Sequence, residues 1–205
     1  MSQPKKSIWV FADYRNYFQN RVTLQLLAKA NDLATGMNAE VCAVVFGHET
    51  DEYVAEYIAH GAQKVLVVKH PSLNRYSVEK FTFLMEKLAG DQGPEIILIG
   101  ATSFGREFAP RVAKRLGTGL TADCIGLEMT SEGHLLQIAP SFGGNLIAEI
   151  ITPDHRPQMA TVRPGTFQEL PHDNTRCGDI VPIPLPKKIP PDRLRLVAYE
   201  RRTDR

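Results

Sequence analysis

EIILIGATSFGR, residues 95–106, decides the fold. Glu95 to Ala101 is a short apolar run preceded by Gly93-Pro94, the composition of a strand buried on both faces of a parallel sheet. Thr102, Ser103 and Gly105 lead from it into a helical stretch that carries Arg106, Arg111, Lys114 and Arg115. A helix start with free backbone amides then faces the carboxyl edge of the sheet. Open α/β folds bind their ligands at that edge.

Outward from this unit, the first half repeats the same rhythm. Ile8 to Ala12, Val41 to Phe46 and Val65 to Val68 read as strands. Between them, Val22 to Met37 shows helical spacing at Leu26, Leu27, Ala30, Leu33 and Ala34. A second helix starts at Thr50 with Asp51 and Glu52 in its first turn, buries Tyr53, Val54, Tyr57 and Ile58, and stops at Gly61. A third is marked by Val78, Phe81, Leu84, Met85 and Leu88, before Gly90. Strands joined by crossover helices of this length predict right-handed βαβ units, a mainly parallel sheet and helices on both of its faces. The expected fold is α/β, Rossmann-like and three-layered.

After Gly117 the long helices stop. Cys124 to Met129, Leu135 to Ala139, Leu146 to Ile151 and Met159 to Val162 are short apolar runs, with Ser131-Glu132-Gly133 placed as a hairpin turn. This strand-rich half is expected to extend the sheet or pack on its edge. Pro182, Pro184, Pro186, Pro190 and Pro191 impose an extended linker. The expected organisation is an α/β domain over 1–181 and a proline-rich linker over 182–205, in which Leu194 to Tyr199 alternates as a last strand would.

Composition excludes several classes. The 205 residues are 43% apolar, enough for one good core, and the formal charge of +1 leaves no basic footprint for nucleic acid. Cys42, Cys124 and Cys177 are scattered with no CxxC spacing, which predicts neither a disulfide framework nor a zinc site and points to a reducing compartment. No apolar run approaches the roughly 20 residues of a membrane span, and Met1 to Pro4 do not open a signal segment. A soluble cytoplasmic protein without membrane insertion is expected. The six histidines are dispersed, and neither HExxH, a Walker pattern nor a G-x-S-x-G elbow is present. GATSFGRE lacks the spacing of a dinucleotide fingerprint. Trp9, Phe11, Tyr14, Tyr17 and Phe18 read as core and interface surface.

The stretch GATSFGREFAPRVAKRL, followed by TGLTADC, FGGN and RPQMATVRPGTF, with IAHGAQKV at Ile58 to Val65, resembles the amino-terminal domain of electron transfer flavoprotein α subunits. The likeness runs from Ile8 through nearly the whole chain. It implies an adenine nucleotide alpha hydrolase-like version of the α/β fold. It also implies a heterodimer with a β subunit that uses FAD to carry electrons between flavin dehydrogenases, such as an acyl-CoA dehydrogenase, and a redox partner. Such a chain is an electron carrier and not an enzyme. In the family, the domain that holds the redox FAD follows this one; nothing up to Arg205 resembles it, so this chain alone is expected to bind no flavin. A β-type partner keeps AMP or a second FAD. Flavin-bifurcating members often carry Thr-Arg-Pro-Ala where this chain has Ile138-Ala139-Pro140-Ser141. A guanidinium there would favour an anionic reduced ring, and its loss counts against bifurcation.

The residues singled out for cofactor contact are Thr102, Ser103, Gly105, Arg106, Gly144, Asn145 and Arg163. Thr102 and Ser103 suit a phosphate or flavin edge, and equally suit a helix N-cap. Arg106 meets an anion at a helix start or forms a surface ion pair. Gly143 and Gly144 signal close backbone approach or a positive φ, with Asn145 bonding across a turn; a tight hairpin explains them as well. Arg156 and Arg163 are further cations for phosphate or flavin. Thr121 to Cys124 line the same cleft on this reading, with Cys124 a small buried residue more than a reactive thiol. A different class also fits the architecture: a stand-alone nucleotide-binding module of the universal-stress-protein type, which would bind AMP or ATP unaided. A nucleotide hydrolase has less support, since no nucleophile with its base is visible.

Overall fold

Alternating strands and helices build the first half in chain order: β1 (Ser7–Phe11), α1 (Tyr17–Met37), β2 (Glu40–Gly47), α2 (Asp51–Ala59), β3 (Lys64–Lys69), α3 (Val78–Gln92), β4 (Ile96–Gly100) and α4 (Ser103–Leu116). The second half is strands: β5 (Leu120–Cys124), β6 (Gly126–Met129), β7 (Leu135–Ser141), β8 (Leu146–Ile150), β9 (Gln158–Val162) and β10 (Asp179–Pro182). The computed structural model describes residues 6–193 and 197–198, without the side chain of Phe142.

Seven strands form one sheet in the order β10-β3-β2-β1-β4-β9-β5, and every pairing in it is parallel. Strand alternation sends Ile8 and Val10 to one face and Trp9 and Phe11 to the other. The first face packs on α1 and α2 through Leu26, Leu27, Ala30, Val54 and Tyr57. The second packs on α3 and α4 through Phe81, Met85, Phe104, Phe108 and Val112. Each fully buried large side chain contributes about 1.5–3 kcal/mol. On the second face Phe11 centres an aromatic cluster, with ring centroids 4.6 Å from Phe108 and 5.5 Å from Phe104. The three-layer α/β/α expectation is met.

The boundaries differ where polar residues do structural work. Helix α1 starts at Tyr17 and not at Val22, because Asn16 caps it, its Oδ1 accepting the Gln19 amide at 2.9 Å. The first buried position is Asn20, which accepts the Tyr57 hydroxyl at 2.8 Å and donates to Glu56 at 2.7 Å. A polar residue thus holds a core position and hides the apolar stripe. Helix α3 runs through Gly90 to Gln92 and is closed by Gly93 at φ 60°. Helix α4 begins at Ser103, three residues before Arg106, with Thr102 as its cap.

The strand-rich half divides. Strands β5, β9 and β10 extend the parallel sheet, whereas β6, β7 and β8 form a separate antiparallel sheet. The run Cys124 to Met129 is broken where the chain changes sheets: the β5–β9 register shifts between Thr121 and Cys124, and Asp123 takes φ 59°. Ser131 to Gly133 form the expected hairpin turn, with Gly133 at φ 82°.

From β9 the chain crosses the α1/α2 face to reach the far edge of the sheet. It is fastened by the Gly165 amide to Gln25 (2.9 Å), by Arg21 to Glu169 (2.6 Å) and by the Asp173 amide to the Ala59 carbonyl (3.1 Å). Strand β10 then pairs with β3. Beyond it Ile183 and Leu185 pack on the second face, and Asp192 meets the nearly buried Lys80 ammonium at 2.5 Å. The strand expected over Leu194 to Tyr199 lies largely outside the described residues; Val197 and Ala198 carry no strand.

Candidate functional site at the carboxyl edge of the sheet

The order of the sheet reverses between β1 and β4: the chain moves outward from β1 through β2 to β3, and begins again at β4 on the other side. The carboxyl ends of these two strands frame the crevice where open α/β sheets hold ligands. Asp13 stands there, 6% exposed, just past β1. Its amide donates to Thr23 Oγ1 at 3.0 Å. Its carboxylate accepts the Thr102 hydroxyl at 2.9 Å and both arms of Arg15, Nε at 2.8 Å and Nη2 at 2.9 Å. Thr102 in turn accepts the Gly105 amide at 3.1 Å, the capping bond of α4. The Arg15 guanidinium lies 4.2 Å over the Phe104 ring and 5.5 Å from that of Tyr76.

Gly105 is a packing glycine. A Cβ on it would fall 1.8 Å from the Gly100 carbonyl oxygen, so its absence lets α4 lie directly on the end of β4. Ser103 is exposed on the first turn. The exposed Arg106 turns back and donates through Nε to the Ala101 carbonyl at 3.0 Å.

A second cluster lies along the same edge, one strand over. The positive φ of Asp123 aims its side chain at Arg163, whose Nη2 donates to Oδ2 at 2.7 Å, while the Asp123 amide donates to Thr161 Oγ1 at 2.9 Å. Hydrogen bonding to Arg163, helped by the charges of Arg163 and Arg106, holds the Asp123 carboxyl below the usual carboxylate range against the effect of burial. The neighbouring Cys124 thiol is buried and its pKa is pushed up to about 12 by burial and by the Asp123 charge, so it is no thiolate nucleophile.

The depressed carboxyl sets the sign of a pH effect. Its stabilising share is fully present above the unfolded value of about 4 and is lost as pH falls through the lower folded value. Asp123→Asn is therefore expected to lower Tm slightly at neutral pH and not in acid, so that the acid-side fall is shallower by that same amount, a small one because both partners are substantially exposed. Thermal melts of parent and variant across the acid range check this; superimposable acid limbs would contradict it.

Thr102, Ser103, Gly105, Arg106 and Arg163 thus share one edge. Gly144 and Asn145 do not join them by any contact among the described residues. They sit at the exposed turn between β7 and β8, where Gly143 and Gly144 take φ 69° and 92° with nothing within 4 Å of an added Cβ. A positive φ accounts for the pair without close approach. Arg156 lies at the opposite, amino edge, where it donates to Glu95 and to the carbonyls of Thr152, Pro153 and His155. Sequence reasoning missed Asp13 and Arg15, and reached Asp123 only as part of the stretch Thr121 to Cys124, without its pairing to Arg163. The signal for the first two was their place directly after the first apolar strand, the position that ends at the reversal of the sheet.

A cavity of about 70 Å³ opens beside Asp13, lined by Tyr14, Arg15, Asn74, Tyr76 and Phe104 among others. That is room for a few waters, whereas ligand pockets run to roughly 300–1,000 Å³. With a carboxylate at its polar end, this crevice does not fit a flavin dinucleotide. An apolar groove of about 200 Å³ between α3 and residues 183–186 lies away from the carboxyl-edge clusters and lacks their charged groups.

Comparison with known families gives a match to the electron transfer flavoprotein domain over residues 8–188. The chain belongs to the electron transfer flavoprotein family. It is 46% identical over 176 residues to the electron transfer flavoprotein subunit alpha of Thermoanaerobacterium thermosaccharolyticum, covering 86% of this chain and 53% of that one. It is 44% identical over 175 residues to the subunit alpha of Clostridium acetobutylicum, with 85% and 52% covered. A third family relative, the lactate dehydrogenase (NAD(+),ferredoxin) subunit LctC of Acetobacterium woodii, is 39% identical over 175 residues, 85% of this chain and 42% of its own length. The chain spans about half the length of these curated family members. Among the described residues, no helix is long and apolar enough to cross a membrane.

Proposed function

We propose that this chain is the first domain of an electron transfer flavoprotein α subunit and that it docks a β-type subunit, forming one wall of a nucleotide-bearing assembly. The assembly carries electrons between a flavin dehydrogenase, of the acyl-CoA dehydrogenase kind, and a redox partner. Its FAD is held outside this domain, and AMP or a second FAD belongs to the β-type partner. The chain acts as scaffold and docking surface, not as a catalyst, in the cytoplasm.

The observation that carries this reading is β8. It is the edge strand of the small sheet, and its residues are exposed on both faces, with Leu146 at 58% and Ile147 at 65% exposure. Ile150 and Ile151 continue the apolar surface. Glu149 is the one charge on this strand, and an edge otherwise so apolar is ordinarily covered by a partner. The carboxyl-edge arginines, Arg106 and Arg163, add exposed cations suited to an anionic ligand completed by a second subunit.

Co-expression with a β-type subunit tests the proposal. The pair is expected to copurify at equal stoichiometry and to retain an adenine nucleotide or flavin that the isolated chain does not retain. Separate elution of the two, with no nucleotide in either fraction, would remove the reading.

A further inference from the structure

The crevice at the sheet reversal has the parts of a phosphate site. It lies at the carboxyl ends of β1 and β4, next to the start of a 14-residue helix, with a threonine hydroxyl and an arginine fork at hand. The hydroxyl and two nitrogens of the fork are already spoken for. The Thr102 hydroxyl uses its acceptor on the Gly105 amide and its proton on Asp13. Arg15 Nε and Nη2 both donate to the same carboxylate, and the guanidinium lies against the rings of Phe104 and Tyr76. The Asp13 backbone is pinned to Thr23. The carboxylate therefore stands where a ligand's phosphate would stand, with the same partners that a phosphate would recruit.

We propose that Asp13 is a resident anion that closes this crevice to nucleoside phosphates. A phosphate entering it would meet a buried carboxylate of like sign, and would have to take Arg15 and Thr102 from a partner that is already fixed in place. Arg15 and Thr102 are thereby kept as structure, and this domain does not compete for adenine nucleotide. The inference concerns the chain alone and does not depend on any second subunit.

Titration of the purified chain with AMP and, separately, with inorganic pyrophosphate tests it, by calorimetry and by nitrogen-edited NMR of the Gly105 amide and Arg15 Nε. The parent is expected to show no saturable binding up to about 10 mM ligand. Asp13→Asn keeps the shape and an acceptor for Thr102 while removing the charge, and is expected to bind both probes at least about tenfold more tightly than the parent, a gain of about 1.4 kcal/mol. The double variant Asp13→Asn with Arg15→Gln is expected to lose that gain. Parent binding that shifts Gly105 and Arg15 would overturn the proposal, as would a folded Asp13→Asn that binds no better than the parent. If Asp13→Asn melts below the working temperature, the smaller Asp13→Ser is titrated in its place, with the same outcomes.

Discussion

Gly105→Ala is expected to destabilise the chain by about 3 kcal/mol, the upper part of the range for inserting a methyl group into a packed interface. The added Cβ would sit 1.8 Å from the Gly100 carbonyl oxygen and 3.1 Å from Ile99 Cγ2, and the nearer atom is backbone at the carboxyl end of an inner strand. It cannot swing aside as a side-chain tip would. Helix α4 must lift instead, taking Phe104 and Phe108 away from Phe11 and loosening the Thr102 cap. Gly90→Ala is the matched control: it too lies inside a helix, nothing stands within 4 Å of its new Cβ, and it is expected to be neutral or to stabilise by up to about 1 kcal/mol. Denaturant midpoints for the two variants decide the matter. Equal midpoints would mean that Gly105 serves ligand approach and not packing.

Ile147→Asp on β8 is expected to weaken association with a β-type subunit by about 100-fold or more, the loss typical of a central apolar anchor. Ile147 is 65% exposed in this chain, so the variant's own melting temperature is expected to match the parent's. A titration of labelled chain with the β-type subunit, beside a melt of each protein, separates the two effects. Unchanged affinity would move the docking face away from the small sheet. The substitution places charge on the strand, the device by which sheet edges are ordinarily kept from pairing.

The parallel-sheet plan was legible because EIILIG, EVCAVV and KVLVV are continuous apolar runs that only a doubly covered strand needs, and because the helices between them carry clear stripes. The start of α1 was not legible. Asn16 and Asn20 act through a cap and through a bond to Tyr57, and such polar pairings leave no apolar periodicity to read. The change of sheet at Ile125 was hidden for a related reason: Cys124 and Leu127 are both buried, so hydropathy runs unbroken across a backbone that turns between them.

At the carboxyl edge, Thr102, Gly105 and Arg163 could be picked from their types and positions, but what each does depends on groups far away in the chain. Thr102 answers to Asp13, 89 residues earlier, and Arg163 to Asp123, 40 residues earlier. Short motifs carry no information about such partners. Gly144 and Asn145 stand at a hairpin tip, where the positive φ of Gly144 is a backbone requirement that reads in sequence identically to a ligand-binding glycine.

Strand β9 is the keystone in time as well as in space. Among the described residues, β5 pairs in the parallel sheet with β9 alone, while β9 also pairs with β4, 62 residues earlier in the chain. During vectorial synthesis β5 and the meander that follows it leave the ribosome before the strand that tethers them exists. The amino-terminal βα units can assemble as they emerge, but the parallel pairing of β5 waits until Val162 has cleared the exit tunnel, which leaves a strand edge open in the nascent chain for that interval.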